Sequence, residues 1–248
     1  MPPRVSVVIP CYNERATIAE IVRLALAQPL VTEVVAVDDC SGDGTREELA
    51  RLEKAHARLR VVLHERNRGK GAALRTGFAR AAGDVVIVQD ADLEYSPSDY
   101  PALVRPIAEG RAEAVYGSRY LPPSPTEKRR RELAGFGGGA GHETDATWHA
   151  WGNKWITWFS NLATRQHLTD METCYKVFRA RLLRALPLRQ DRFGWDPEVT
   201  ALVARRGIAI REVPIAYRAR SYAEGKKIRL KDLFRVVSVI VARGMLGL

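Results

Sequence analysis

Cysteine is scarce in this chain, and its arrangement excludes as much as its number. Cys11, Cys40 and Cys174 are odd in number and lack CxxC spacing. That argues against a disulfide framework and a zinc site, and it fits a reducing cytosol. The five histidines form no HxxxH or HExxH pair. Long apolar runs are missing as well. The best candidate, VVSVIVA at 236–242, is closed by Arg243. It falls far short of the roughly 20 residues a membrane span needs. The first apolar run, Val5–Ile9, gives way at once to PCYNER, so no secretory leader is expected. No run ends in GxGxxG and no GxxxxGK[ST] occurs, which removes the ordinary dinucleotide fingerprint and the P-loop.

Acidic residues are the minority, 29 against 39 Lys plus Arg, for a net charge of +10. Two readings stand: an anionic partner such as a nucleotide, nucleic acid, lipid phosphate or acidic membrane, or simply a basic soluble surface. The 46% hydrophobic and 27% charged content is that of a soluble globular protein rather than a disordered one. At 248 residues the chain has room for one large domain or two small ones.

What is present is a rhythm. VSVVI (5–9), EVVAVD (33–38), LRVVLH (59–64), DVVIVQ (84–89) and EAVYGS (113–118) alternate with amphipathic helical patterns. Strands with almost no polar alternation, joined by helices, predict a parallel sheet covered on both faces. Such α/β sheets bind ligands at the carboxyl ends of their strands. There the sequence turns polar and specific: PCYNE, DDCSGDGT, ERNRGKG and DADLE. Residues 121–147 follow as a long Pro-, Gly- and charge-rich loop, a length that points to function or disorder. Beyond it lie a Trp-rich helix, a short strand CYKVF, a helix around PEVTALVARRG, a strand IAIREVPI and a basic amphipathic C-terminal helix.

The turn DADLE sets Asp90, Asp92 and Glu94 at alternate positions directly after a buried strand. Two carboxylates so spaced can converge on one hard cation, and Mg²⁺ or Mn²⁺ normally completes its octahedron with phosphate oxygens. The bland alternative is a solvated acidic turn or helix cap. RNRGKG supplies Lys70 beside two glycines, suited to close backbone approach to an anion.

With these motifs in order, the chain resembles glycosyltransferase family 2, whose members have a GT-A fold. The resemblance rests on VSVVIPCYNE, VVAVDDCSGDGT, ERNRGKGAALRTGF, DVVIVQDADLEYSP and YGSRY, and covers roughly residues 4–230. LTDMETCYKVFR, GWDPEV and EVPIAYRARSYAEGKKI look like the branch of dolichyl- and polyprenyl-phosphate mannosyl- and glucosyltransferases. The resemblance implies an α/β, Rossmann-like, mostly parallel central sheet with helices on both faces. It implies one domain over 1–228, with a nucleotide-sugar half (1–118) and an acceptor half (119–228) carrying 121–147 as a mobile loop. Residues 229–248 are expected as a separate basic amphipathic helix.

Carried over by residue, the resemblance puts Pro10, Tyr12, Glu14 and Asp39 in the nucleoside pocket and Lys70 near the base and phosphates. Asp90, Asp92 and Glu94 become metal ligands, with Ala91 between them against the donor; the branch often has Gln where Glu94 stands. Arg119 and Arg220 resemble arginines that hold the donor diphosphate or the acceptor phosphate. Lys227 resembles the lysine of a Ser-Lys element, although Lys226 occupies the Ser place. For each basic residue the alternative is a solvated surface charge. Asp92, Asp170, Arg119 and Arg220 form the expected catalytic set.

The implied reaction transfers a hexose from a UDP- or GDP-linked donor with inversion, the ion and the basic groups neutralising the leaving diphosphate. A lipid phosphate acceptor is already anionic and needs positioning more than a base. A hydroxyl acceptor needs a carboxylate base, for which Asp170, Glu172, Asp196 and Glu198 are candidates. Asp196 reads equally as a helix cap before Pro197.

Trp148, Trp151, Trp155 and Trp158 fall within about 80° on a helix turning about 100° per residue, extended by Phe159 and Leu162. This stripe suits an interfacial helix among lipid headgroups, or an aromatic core face packed on the sheet. The run EKRRRE fits lipid phosphate or plain solvent. Three functions remain. The first is a transferase acting on polyprenyl phosphate at the cytoplasmic membrane surface, peripherally bound. The second is the same fold acting on a sugar or small-molecule hydroxyl. The third is a non-catalytic basic module, although no nucleic-acid-binding signature is present.

Overall fold

The computed structural model describes residues 1–124, 129, 147–218 and 236–245. Among these residues seven strands form one sheet: β1 (Val5–Cys11), β2 (Val31–Asp38), β3 (Leu59–Leu63), β4 (Val85–Val88), β5 (Ala114–Ser118), β6 (Lys176–Arg179) and β7 (Ile210–Pro214). The helices are α1 (Ile18–Leu26), α2 (Thr45–Ala55), α3 (Lys70–Arg80), α4 (Tyr100–Ala108), α5 (Thr147–Thr164), α6 (Ala180–Ala185) and α7 (Trp195–Arg205). The sheet order is β3-β2-β1-β4-β6-β5-β7.

Successive residues of a strand point to opposite faces. Val7, Val8 and Ile9 of β1, and Val34 to Val37 of β2, are nonetheless all fully buried. Both faces of the sheet are therefore covered, as the unalternating runs require. Helix α3 comes especially close: a Cβ on Gly77 would lie 2.3 Å from Val8 Cγ1. Only glycine allows that approach.

The sheet is mixed rather than uniformly parallel. β6 runs antiparallel between β4 and β5, while β1–β2, β1–β4, β2–β3 and β5–β7 are parallel. This reversal decides the site. The entry to β6, residues 170–175, reaches the edge where β1, β4 and β5 end.

Of the expected C-terminal helix, residues 236–239 are helical and Ile240–Met245 form a π-helical turn. Val236, Val239 and Ile240 are buried in the core, and Arg243 donates to Glu198 Oε1 at 3.2 Å. This part of the segment belongs to the domain's packing against α5 and α7.

Candidate active site

Among the described residues, four non-glycine residues have positive φ: Asn13 (56°), Cys40 (67°), Leu93 (59°) and Arg165 (56°). Three of them sit in PCYNE, DDCSG and DADLE, at the ends of β1, β2 and β4. Side chains pay a steric penalty there, so the surrounding bonds must fix these turns. They do. Asn13 Oδ1 accepts from Gly42 N (2.9 Å), and the Ser41 hydroxyl accepts from Asn13 N (2.9 Å). Asp43 accepts from Arg15 N (3.1 Å) and Thr45 N (3.0 Å), which ties the first two turns together.

Asp39 is the anchor of the third loop. Its carboxylate accepts from Arg68 N (2.9 Å), Gly69 N (2.6 Å) and the His64 ring, whose Nδ1 lies 2.7 Å away. Gly69 adopts φ 97°, and a Cβ there would meet Asp191 O at 2.5 Å. That sharp turn delivers Lys70 as the first residue of α3. Lys70 Nζ reaches across to Asp90, 2.7 Å from Oδ1 and 3.0 Å from Oδ2. Burial works against both charges, but the pairing overrides it. Lys70 is raised above the usual lysine range, and Asp90 is held below the usual carboxylate range.

Asp90 N donates to Cys174 Sγ at 3.0 Å, so the turn after β4 is fastened to the entry of β6. Asp92 Oδ1 accepts from Glu94 N at 3.2 Å. Glu94 is turned aside: its Oε2 accepts from the Tyr217 hydroxyl at 3.3 Å, and its carbonyl accepts from Arg218 N at 2.9 Å. Among the described residues no three His, Cys, Asp or Glu side chains converge as a ready ion cage. A Mg²⁺-like ion needs only one or two carboxylates when phosphates supply the rest. Asp90 and Asp92, oxygen donors on one tightly held turn, fit that requirement.

On the other flank Arg119 follows β5. It grips Asp170 with a two-pronged contact, Nε to Oδ2 and Nη2 to Oδ1, both 2.7 Å. Asp170 is fully buried and also accepts from Arg119 N (3.1 Å) and Asn153 Nδ2 (2.9 Å). Burial alone would raise this carboxyl, yet the guanidinium beside it keeps it below the usual range. Arg119 also lies over the Tyr217 ring, 5.1 Å from its centroid. Asp170 therefore holds the Arg119 guanidinium in one orientation.

The remaining expected residues separate into groups. Pro10, Tyr12 and Glu14 line the turn after β1; Tyr12 is exposed, and Glu14 Oε2 accepts from the Thr17 hydroxyl at 2.9 Å. Ala91 is buried. Glu198 is fully buried and saturated by Arg189 N (2.9 Å), Gln190 N (2.8 Å) and Arg243. It holds the 189–190 turn and is no free base. Asp196 is not the cap of α7, a place taken by Gly194. It pairs instead with Lys176, a lysine of zero exposure on β6. Arg220, Lys226 and Lys227, most of loop 121–147 and the Trp148 side chain lie outside the described residues.

Sequence reasoning missed Lys176, His64 and Cys174. The one available signal was Lys176 itself, a charge inside the otherwise uncharged CYKVF. The aromatic stripe is decided in part. Trp151 is 72% exposed, Trp155 52%, Trp158 60% and Leu162 61%, while Ile156, Thr157 and Ser160 on the opposite face are buried. The core reading fails for these tryptophans.

Comparison with known proteins now adds to this geometry. Undecaprenyl-phosphate 4-deoxy-4-formamido-L-arabinose transferase of Pseudomonas aeruginosa (strain LESB58) is 30% identical over 227 residues, 90% of this chain and 60% of that protein. The enzyme of the same name from Aeromonas hydrophila is 31% identical, over 90% and 62% respectively. The chain thus spans about three fifths of the length of these relatives. Among solved structures, glucosyl-3-phosphoglycerate synthase of Mycobacterium tuberculosis with UDP superposes with a TM-score of 0.69 at 22% identity. That match covers 97% of this chain and 80% of the other. The same enzyme with Mn²⁺, UDP-glucose and phosphoglyceric acid gives 0.67 at 22% identity, over 97% and 79%. These likenesses establish the GT-A fold. The model of Glycosyl transferase family 2 matches residues 6–186, which take in the turns after β1, β2, β3, β4 and β5. The chain belongs to glycosyl transferase family 2.

Proposed function

We propose that the protein is a metal-dependent, inverting hexosyltransferase that moves a sugar from a UDP- or GDP-linked donor to a polyprenyl phosphate. The observation that carries this reading is the pair of opposed ion pairs, Lys70–Asp90 and Arg119–Asp170, at one edge of the sheet. One flank suits a diphosphate leaving group and the other an anionic acceptor. The names of the polyprenyl-phosphate relatives support the acceptor class.

In this reading Pro10, Tyr12, Glu14 and Asp39 form the nucleoside end, with Asp39 acting mainly by fixing the loop that carries Lys70. Asp90 and Asp92 hold Mg²⁺ or Mn²⁺, and Glu94 joins them by giving up the Tyr217 hydroxyl. Bound there, the ion neutralises charge on the departing diphosphate. Lys70 exchanges Asp90 for a phosphate oxygen and adds its own charge to that task. Arg119, held rigid by Asp170, orients the acceptor phosphate on the opposite side, and Arg220 and Lys227 complete its grip. An anionic nucleophile so placed needs no strong base.

The exposed face of α5 supports attachment at the cytoplasmic membrane surface. Trp151, Trp155 and Trp158 are amphipathic rings suited to the headgroup layer, and Lys154 is exposed beside them. Among the described residues no helix is long and apolar enough to cross a bilayer. The test is nucleotide release from a panel of UDP- and GDP-sugars with Mn²⁺, with and without polyprenyl phosphate. Release of one nucleotide only with the lipid present is expected. Release indifferent to the lipid would replace this reading with a hydroxyl acceptor, and no release from any donor would end it.

A further inference from the structure

Among the described residues, three buried polar atoms near this site have no hydrogen-bond partner: Glu172 Oε1, Thr173 Oγ1 and Trp195 Nε1. Thr173 is fully buried and Trp195 is 1% exposed, while Glu172 is half-buried. Thr173 and Trp195 flank one ammonium, whose charge also reaches the Glu172 carboxyl. Lys176 Nζ donates to the Thr173 carbonyl and to Asp196, and it lies 5.4 Å from the Trp195 ring centroid. An unpartnered buried polar group is destabilising, and native folds keep few of them. Other carboxylates nearby are treated differently. Asp170, Asp39 and Glu198 have their oxygens taken by backbone N–H groups and cations.

Position gives these orphans a purpose. Glu172 is the middle residue of a five-residue segment whose ends are both fastened to the site. Asp170, at one end, holds Arg119, and Cys174, at the other, accepts from the backbone N–H of Asp90. A sugar whose leaving group sits at Asp90 and whose acceptor arrives at Arg119 must lie along this segment. We propose that Glu172 is a specificity-determining residue, its carboxyl hydrogen-bonding hydroxyls of the donor sugar, with Thr173 and Trp195 forming the polar wall behind it. This rests on the donor reading above.

The chemistry suits a hydroxyl. Burial, and after it the neighbouring Asp196 carboxylate, pushes the Glu172 carboxyl up to about 8. At neutral pH it holds a proton and can both donate and accept, as a sugar hydroxyl does.

The experiment compares binding of UDP and GDP with binding of UDP-glucose and GDP-mannose in Mn²⁺, by calorimetry, for wild type, Glu172→Gln and Glu172→Ala. Singly deoxygenated analogues of each sugar are included. Glu172→Ala is expected to weaken the sugar nucleotide about tenfold, the loss of about one hydrogen bond, and to leave the bare nucleotide unchanged. One deoxygenated analogue should lose about tenfold on wild type and nothing further on Glu172→Ala. Glu172→Gln keeps the shape and both hydrogen-bonding roles, and should retain most of the preference. An unchanged ratio of sugar nucleotide to nucleotide in Glu172→Ala would overturn the assignment while leaving the donor reading intact. So would a deoxygenation penalty that persists in the variant, or a wild type that binds UDP or GDP but gains nothing from the sugar. Failure of the wild type to bind UDP or GDP at all would remove the donor reading and this assignment with it.

Discussion

Lys70–Asp90 and Arg119–Asp170 are the same chemical object in two settings. Each joins a basic residue to an aspartate at the ligand edge of the sheet. In the first, both side chains keep about a quarter of their exposure, 24% and 22%, and a single ammonium bridges the carboxylate. In the second, Asp170 has none, Arg119 has 16%, and a guanidinium fork, an amide and a backbone N–H fill the carboxylate. An ion pair that shares its site with solvent can be opened by a ligand. One that is saturated and sealed cannot, because an unpaired buried charge is too costly. In the proposed reading, the difference separates a donor flank that rearranges from an acceptor flank that stays fixed.

Substitution should expose that contrast. Asp92→Ala is expected to lower turnover by about a thousandfold, the upper range for losing a group that stabilises the leaving charge. Its circular dichroism spectrum should match wild type; normal turnover would sink the metal assignment. Asp170→Asn strands Arg119 as a buried unpaired cation and should cost about 3–5 kcal/mol of stability. In a chain of this size that is a fall in Tm of about 10 °C. Asp90→Asn, on the accessible flank, should cost less than about 1 kcal/mol while still losing turnover. Equal losses of stability in Asp90→Asn and Asp170→Asn would erase the comparison.

A smaller effect concerns pH. The Glu172 carboxyl titrates near 8 in the folded chain against about 4.5 when unfolded. The folded state therefore holds the extra proton between those values, and stability falls as pH rises from about 5 to 8. Denaturant unfolding of Glu172→Gln should lack this decline, so its stability relative to wild type should rise steadily from pH 5 to pH 8. Parallel curves for the two proteins would show that Glu172 does not carry the shift. Smallest for the fold is loss of the aromatic stripe. Replacing Trp151, Trp155 and Trp158 by Ser should leave Tm within a degree or two, since all three face solvent. Binding to anionic vesicles should drop about tenfold. Unfolding of that variant would return the stripe to the core.

Much of this was legible before the structure because the strands are buried on both faces. EVVAVD and DVVIVQ announce themselves by lacking alternation, and their C-terminal ends mark the site. The antiparallel β6 was not legible in its direction: CYKVF reads the same in either orientation, and only the sheet reveals it. The fate of single carboxylates was equally hidden. Asp90, Glu94, Glu198 and Asp196 look alike in sequence, yet one faces Lys70, one a tyrosine, one the backbone and one a buried lysine. Those assignments depend on partners distant in the chain. Tyr217 is 123 residues from Glu94.

The most direct measurement is Mn²⁺ binding, followed by its paramagnetic resonance signal, with and without UDP or GDP, in wild type, Asp92→Ala and Asp170→Asn. Protein alone should take up the ion weakly, because Lys70 already occupies Asp90. Nucleotide should tighten uptake at least tenfold in wild type and in folded Asp170→Asn, and not at all in Asp92→Ala. Nucleotide binding that is indifferent to Mn²⁺, or a gain that survives Asp92→Ala, would contradict a donor flank built on Asp90, Asp92 and Lys70.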